Sequence, residues 1–382
     1  VKRLYWRPAG PSIGSLLLLG ALSVALLVTV EVFPRRVEED AYALKLDSAR
    51  LAERAFATIR AERPHRGLPE FEPTDRAHSG LIGPATSEIT TSTGSLPAKR
   101  TAANPNFAVV LVDFLQRLEL QRGDVVAIGY SGSFPGLNIV TLAVSDTLGL
   151  EPLIIASAAS SDFGAASPNF SWLDMEKLLR DRGVFHHSSL AASVGGIEDQ
   201  GIGISKTGLE ILQRAIAHNG AALIEPYDFS DSLAHRMQLY EQFAAGRPIR
   251  AYINVGGGTV SVGRSRGKTT YKPGLNRPGT KAPVDSIIGR FLDRGIPVIH
   301  LTKAEDLARQ FRLPVDPTTR PEAGVGAAFS HREVNRRLAA VALLVLMGAL
   351  RWVGQRARAR AHLRTLPEGV VAPRWDAPPP EL

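Results

Sequence analysis

Three stretches of the sequence concentrate the residue types that bind anions or attack carbonyl groups. The first is 129–138 (GYSGSFPGLN), where two hydroxyls, Ser131 and Ser133, flank Gly132 just ahead of Pro135. A helix that begins at such a proline offers its first backbone N–H groups to an anion, and serine hydroxyls add donors. The same residues serve equally well as a plain strand-to-helix turn with a serine cap. A nucleophile elbow requires Gly-x-Ser-x-Gly, whereas Gly129-Tyr130-Ser131-Gly132-Ser133 ends in serine, which favours binding over hydrolysis here. The second stretch, 157–169 (SAASSDFGAASPN), carries Ser160, Ser161 and Asp162. Asp162 is the best-placed acid, although capping of backbone amides is the commoner use of aspartate in such a segment. The third, 254–263 (NVGGGTVSVG), has Gly256, Gly257, Gly258 and Thr259 in succession, and consecutive glycines let a backbone approach a ligand closely or form an anion-binding nest.

Six cations follow the triple glycine at Arg264, Arg266, Lys268, Lys272, Arg277 and Lys281, with no acid between 264 and 281. Such runs are usually solvated faces, but one beside anion-favouring loops suits a polyanionic chain. His186 and His187 have no further ligand at the spacing of a zinc motif, so no metal site is expected of them. Residues 87–95 (SEITTSTGS) place several hydroxyls before Lys99 and Arg100, where they either line a pocket or form a polar loop.

The elements that must position these loops are legible as alternation. Short apolar runs at 125–128, 152–157, 221–224, 250–255 and 297–301 read as buried parallel strands. Helical periodicity fills the intervals at 106–119, 136–148, 171–182, 206–218, 230–245, 285–294 and 303–311. The fold class expected is therefore α/β: an open, mostly parallel Rossmann-like sheet with helices on both faces. Ligands bind such sheets at the carboxyl ends of the strands, which is where all three loops fall. Upstream, 38–63 repeats apolar residues at Leu44, Leu51, Ala55 and Ile59 and stops at Pro64, as a stalk or packing helix does. Residues 64–104 lack clear periodicity and read as a long Ser/Thr/Pro-rich loop, so 37–104 precedes an α/β domain at 105–330.

The 382-residue chain has a net charge of +8 and no cysteine, which excludes disulfides and thiolate metal sites. The charge lies in the flanks: residues 1–36 contribute +4 and residues 331–382 contribute +5, leaving −1 for 37–330. A nucleic-acid-binding domain is basic in its own right, so basic flanks beside apolar runs point to a membrane and to no nucleic-acid partner. From Pro8 to Val30 there are 23 uncharged residues, enough to cross the hydrocarbon. Lys2, Arg3 and Arg7 place the N-terminal side (1–12) in the cytoplasm. The lack of a small-x-small cleavage pattern before Pro34 makes 13–33 an uncleaved signal anchor. A second run, 338–350, has only 13 residues between Arg337 and Arg351, but snorkelling arginines and Trp352 extend it to a span over 337–354. An interfacial helix is the alternative. The basic remainder, 355–382, reads as a disordered cytoplasmic tail. These expectations put the chain in the cell membrane with its main domain extracytoplasmic.

Four separated blocks, SGLIGPATSEITTSTGSLPAKRTAANPNF, GDVVAIGYSGSFPGLN, SWLDMEKLL and YINVGGGTVSVG, carry a further signal. Together they resemble the poly-gamma-glutamate system protein family over roughly residues 75–310. The resemblance implies a membrane-anchored accessory that works beside the poly-gamma-glutamate synthase membrane components; it implies no catalytic residues. GGGT is also similar to the phosphate loops of sugar kinases and actin-like ATPases, but the acid expected two positions before the first glycine is Asn254. No nucleotide or other cofactor is therefore expected. The leading expectation is a binding protein: Ser131, Gly132, Ser133, Gly256, Gly257, Gly258 and Thr259 cradle the carboxylates of the polyanionic polymer, and Arg264, Arg266 and Lys268 attract it, so binding weakens steeply with salt. The competing class is a hydrolase or transferase acting on gamma-glutamyl bonds, with Ser131 as nucleophile and Asp162 plus His186 or His187 as helpers. A scaffold for the synthase, docking through its spans and tail, is the third.

Overall fold

The structure, a computed structural model, describes residues 10–279 and 281–364. Among the described residues, those of 38–330 form one unit, and those of 10–37 with 331–364 form another. In the larger unit a central seven-stranded sheet contains β1 (Val125–Ser131), β2 (Glu151–Ser157), β3 (Ala191–Ser193), β4 (Ala222–Ile224), β5 (Ile249–Val255), β6 (Gly274–Asn276) and β7 (Val298–Leu301). Their order is β6-β7-β5-β1-β2-β3-β4. All neighbours run parallel except β6, which pairs antiparallel to β7. The chain starts at β1, moves outward to β4, then returns to β5 on the other side of β1. The reversal lies between β1 and β5, the place where open α/β sheets bind ligands.

Successive strand residues point to opposite faces, and both faces are buried. Val126, Ile128, Ile154, Ala156, Ile253 and Leu301 enter one apolar core, while Val125, Ala127, Leu153, Ile155, Tyr252 and Val298 enter the other. This is why the strands read as continuous apolar runs rather than alternating ones. The first face is covered by α2 (Tyr42–Glu62), α4 (Ala108–Gln116), α5 (Pro135–Leu148), α6 (Trp172–Asp181), α7 (Lys206–Asn219) and α12 (Ala304–Gln310), the second by α8 (Phe229–Ala244), the short α9 (Thr259–Val262), which leads into α10 (Arg264–Thr270), and α11 (Ile287–Asp293). The expectation of a mostly parallel sheet with helices on both faces is met.

Two expectations are revised. Of the stalk and packing readings of 38–63, the packing helix holds: Ala49, Ala52, Ala55, Phe56 and Ile59 of α2 are buried in the first core, and the alanine face lets α2 lie close on α5 and α4. The 64–104 stretch is partly ordered into α3 (Leu96–Ala102), whose Ser95 cap accepts the Ala98 N–H, and a short strand, Thr90–Ser92, that pairs with Ser160–Ser161. Both belong to the same unit as the sheet.

The terminal unit contains α1 (Ile13–Val32) and α13 (Arg336–Arg364), which touch each other. Both are long and apolar enough to cross a membrane, and Leu17, Leu18, Leu27 and Leu344 stand more than 60 % exposed. Helix α13 runs ten residues past 354, so the basic stretch expected as a disordered tail is helical up to Arg364. The remainder of that tail, 365–382, and most of the expected cytoplasmic N-terminus, 1–9, lie outside the described residues.

Candidate functional site

Four adjacent strands deliver their carboxyl ends to one cavity of about 370 Å³. Ser131 and Ser133 enter from the end of β1, Ser157, Ala159 and Ser161 from β2, Gly195 and Gly196 from β3, and Gly257, Gly258 and Thr259 from β5. Thr91, Ser92 and Thr93 close another wall. The three loops singled out in the sequence are thus brought together, and the 87–95 segment lines the same pocket.

The loops are locked by hydrogen bonds that use much of their polar capacity. The Ser161 N–H donates to Ser133 Oγ at 3.1 Å, Ser160 Oγ donates to the Gly132 carbonyl at 3.1 Å, and Asn138 Nδ2 donates to the Ser131 carbonyl at 2.8 Å. Ser131 Oγ accepts the Ser133 N–H at 3.3 Å. From the other side Thr91 Oγ1 donates to the Ser160 carbonyl at 3.1 Å. Asp162 accepts the Gly94 N–H at 3.3 Å, the amide-capping use of such an aspartate. Gly256 adopts φ +93°, and its N–H is spent on the Leu301 carbonyl, leaving Gly257, Gly258 and Thr259 as the part of the triple-glycine segment that lines the cavity.

Asn254, where a phosphate loop carries an acid, is an internal brace. Its Nδ2 reaches the Gly256 carbonyl at 2.8 Å and His300 Nδ1 at 3.0 Å, and its Oδ1 accepts the Tyr252 hydroxyl at 3.1 Å. Burial lowers the His300 pKa to about 4, with Asn254 opposing, so the imidazole is neutral at pH 7 and the brace carries no charge.

The floor of the cavity is a buried ion pair that the sequence reading missed. Arg236 Nε lies 2.7 Å from Asp199 Oδ2, and each side chain is 6 % exposed. The guanidinium also donates to Ser157 Oγ at 3.0 Å and Ser193 Oγ at 2.8 Å, and Asp199 accepts Ser193 Oγ at 2.9 Å and Ser232 Oγ at 2.7 Å. Burial by itself raises the Asp199 carboxyl, but the Arg236 charge and these donors hold it below the usual carboxylate range. Asp199 sits at φ +65° in the loop after β3, a strand too short and too poor in branched residues to be read from sequence.

A second missed residue is Lys99 of α3, 3 % exposed, which lies behind the β1 and β2 loops. Its Nζ donates to Ser161 Oγ at 2.7 Å and to the Ser133 carbonyl, and sits 3.9 Å from the centre of the Phe134 ring. Burial lowers its pKa to about 7, with Asp162 opposing through space. Two glycines permit this approach. A Cβ on Gly136 would fall 2.4 Å from the Ala102 carbonyl of α3, and one on Gly94 would fall 3.2 Å from Lys99 Cε.

The remaining expected residues divide. Lys268 lines the cavity, whereas Arg264 is engaged by Glu198 at 2.6 Å and stacks over Phe229, and Arg266 is exposed outside the lining. The cationic run therefore does not act as one strip: Arg277 lies at the opposite edge of the sheet with Arg117, Arg250 and Pro297, because β6 turns the chain back antiparallel. His186 and His187 are not near Ser131. They line a different groove, about 630 Å³, at the amino ends of the strands with Arg122, Asp146 and Glu151, so neither can assist a reaction at Ser131. Among the described residues no cluster of metal-binding side chains is present.

The assembled site can bind an anion through hydroxyls and backbone, and it sets one hydroxyl, Ser161, against a buried amine. No family model, curated protein or solved structure matches this chain.

Proposed function

We propose that this chain is a membrane-anchored accessory of poly-gamma-glutamate synthesis, export or retention, spanning the membrane with α1 and α13 and holding glutamyl units of the polymer in the cavity at the strand ends. The observation that carries this reading is the convergence of four hydroxyl- or glycine-rich strand ends at the point where the strand order reverses. Hydroxyl donors suit carboxylates spaced along a flexible chain, and Lys268 at the wall adds attraction. The basic flanks support an outward-facing unit, and three of the four blocks of sequence resemblance contribute residues to the cavity wall, the fourth being α6.

Because one cation of the proposed trio lines the cavity, the salt dependence is shallower than six cations in a row imply. Gamma-linked glutamate oligomer binding to the detergent-solubilised chain, followed by calorimetry at two salt concentrations, tests this. Lys268→Gln weakens binding roughly two- to fivefold, and Arg266→Gln leaves it unchanged. Equal losses in the two variants indicate diffuse attraction to the basic segment and contradict a cavity site, as does an absence of binding.

A further inference from the structure

A lysine inside a folded protein is normally matched by a carboxylate. Lys99 is not: the groups against its Nζ are the Ser161 hydroxyl at 2.7 Å, the Ser133 carbonyl and the face of Phe134. None of these neutralises an ammonium, and Asp162 acts on it only through space while its carboxylate caps Gly94. Ser161 has one side on this amine and the other on the cavity, whose wall it forms at 8 % exposure. Its position is fixed at the backbone, since its N–H is held by Ser133 Oγ and its strand is paired with Ser92. A rigid hydroxyl between a dry amine and a ligand cavity is the arrangement that activates a serine for attack.

We propose that Ser161 and Lys99 form a nucleophile–base pair, and that the cavity carries out acyl transfer on amide bonds of a carboxylate-bearing chain. The choice of gamma-glutamyl bonds as substrate rests on the function proposed above; the pair itself does not. Neutral Lys99 takes the proton of Ser161 Oγ as that oxygen bonds to the carbonyl carbon. The C–N bond then breaks, the leaving amine takes the proton from the Lys99 ammonium, and the acyl group remains as an ester on Ser161. Water, or the amine of an acceptor chain, attacks the ester and gives a proton to Lys99, which returns it to Ser161 Oγ as the C–O bond breaks. Hydrolysis yields a carboxylate end; an acceptor amine yields a new amide. A pKa near 7 leaves about half of the lysine neutral at that pH, which suits a general base. This assignment moves the nucleophile from Ser131 to Ser161 and the base from histidine to lysine.

The test is labelling of the full chain in detergent with a fluorophosphonate, a probe that reports serine nucleophilicity without any polymer, with the adduct mapped by mass spectrometry. The result expected is an adduct on Ser161 whose rate climbs as pH rises through about 7 and then levels. Lys99→Met and Lys99→Arg, checked for folding by circular dichroism, slow it about 100- to 10,000-fold, the arginine because it stays protonated. Absence of a Ser161 adduct from pH 6 to 9, or a rate indifferent to both lysine variants, overturns the pair. Labelling of Ser161 in a chain that neither binds nor cleaves gamma-glutamate oligomers supports the pair and rejects the polymer as its substrate. Binding that persists in Ser161→Ala, with no labelling or cleavage in the wild type, rejects the pair and leaves the binding function standing.

Discussion

Replacing Arg236 by alanine lowers the unfolding free energy by about 3–5 kcal/mol at neutral pH, the cost of stranding a buried charge. The charge stranded is Asp199, 6 % exposed and 2.7 Å from the guanidinium. The loss spreads beyond one contact, because Arg236 also donates to the Ala156 carbonyl, Ser157 and Ser193, tying the ends of β2 and β3 to α8. The pH dependence has a definite sign. In the wild type the Asp199 pKa lies below its unfolded value of 3.8, so its stabilisation is complete above that value and disappears as pH falls through the lower folded one. In the variant burial dominates and the carboxyl rises, so the deficit relative to wild type shrinks as pH drops toward 4. Denaturant unfolding at pH 7 and 4.5, read by tryptophan fluorescence, measures both effects. The double replacement Arg236→Met with Asp199→Leu recovers most of the loss, since a buried pair is worth little more than apolar residues of its volume. A loss below about 1 kcal/mol in the single variant, the range of a solvated pair, contradicts the buried-pair description.

Replacing Lys99 by methionine does the opposite: it stabilises the fold while removing the base. The folded protein holds this ammonium at a pKa of about 7 against an ordinary 10.5. Between those values the folded state binds fewer protons than the unfolded one, so wild-type stability rises with pH across the window. Below pH 7 both states carry the charge and the burial penalty is felt in full; above 10.5 neither does. Each pKa unit is worth about 1.4 kcal/mol, so Lys99→Met gains a few kcal/mol at pH 6, reduced by the lost hydrogen bonds to Ser161 and the Ser133 carbonyl. The gain fades toward pH 10. Unfolding curves for both proteins at pH 6, 8 and 10 check this, and a destabilisation equal at all three shows a lysine that serves only to hold α3 in place. A stabilising loss-of-function change is the usual sign of a residue kept for chemistry rather than for folding.

What the sequence makes legible follows from what periodicity records. The strands at 125–128, 152–157, 250–255 and 297–301 are legible because both faces of the sheet are covered there, which makes central strands uniformly apolar; 221–224 reads as an apolar run although β4 is an edge strand with Ala222 and Leu223 exposed. β3 was silent: Ala191–Ser193 offers three small residues and no branched one, and with it went the Gly195–Gly196 turn and Asp199. Helix α2 was visible as a period, yet its burial on α5 was not, because its inner face is built of alanines that carry little hydrophobic signal. The three strand-end loops could be assigned to one edge of the sheet from topology alone, and they do meet there. Which side chains would touch could not be read. Ser161 and Lys99 stand 62 positions apart, and Asp199 and Arg236 stand 37 apart; no local pattern links residues on separate crossovers. The cationic run misled for the same reason, since a spacing in sequence does not reveal that one residue pairs with Glu198 and another is carried to the opposite edge.

The most direct measurement of the central claim, that the strand-end cavity holds the polymer, is photo-crosslinking of the full chain with a gamma-linked glutamate oligomer bearing a diazirine, followed by peptide mapping. The predicted adducts fall in 91–93, 131–133, 159–161 and 257–259 and are competed away by unlabelled oligomer. Adducts confined to the basic residues of 264–281, or to the groove of His186, His187 and Arg122, would contradict it.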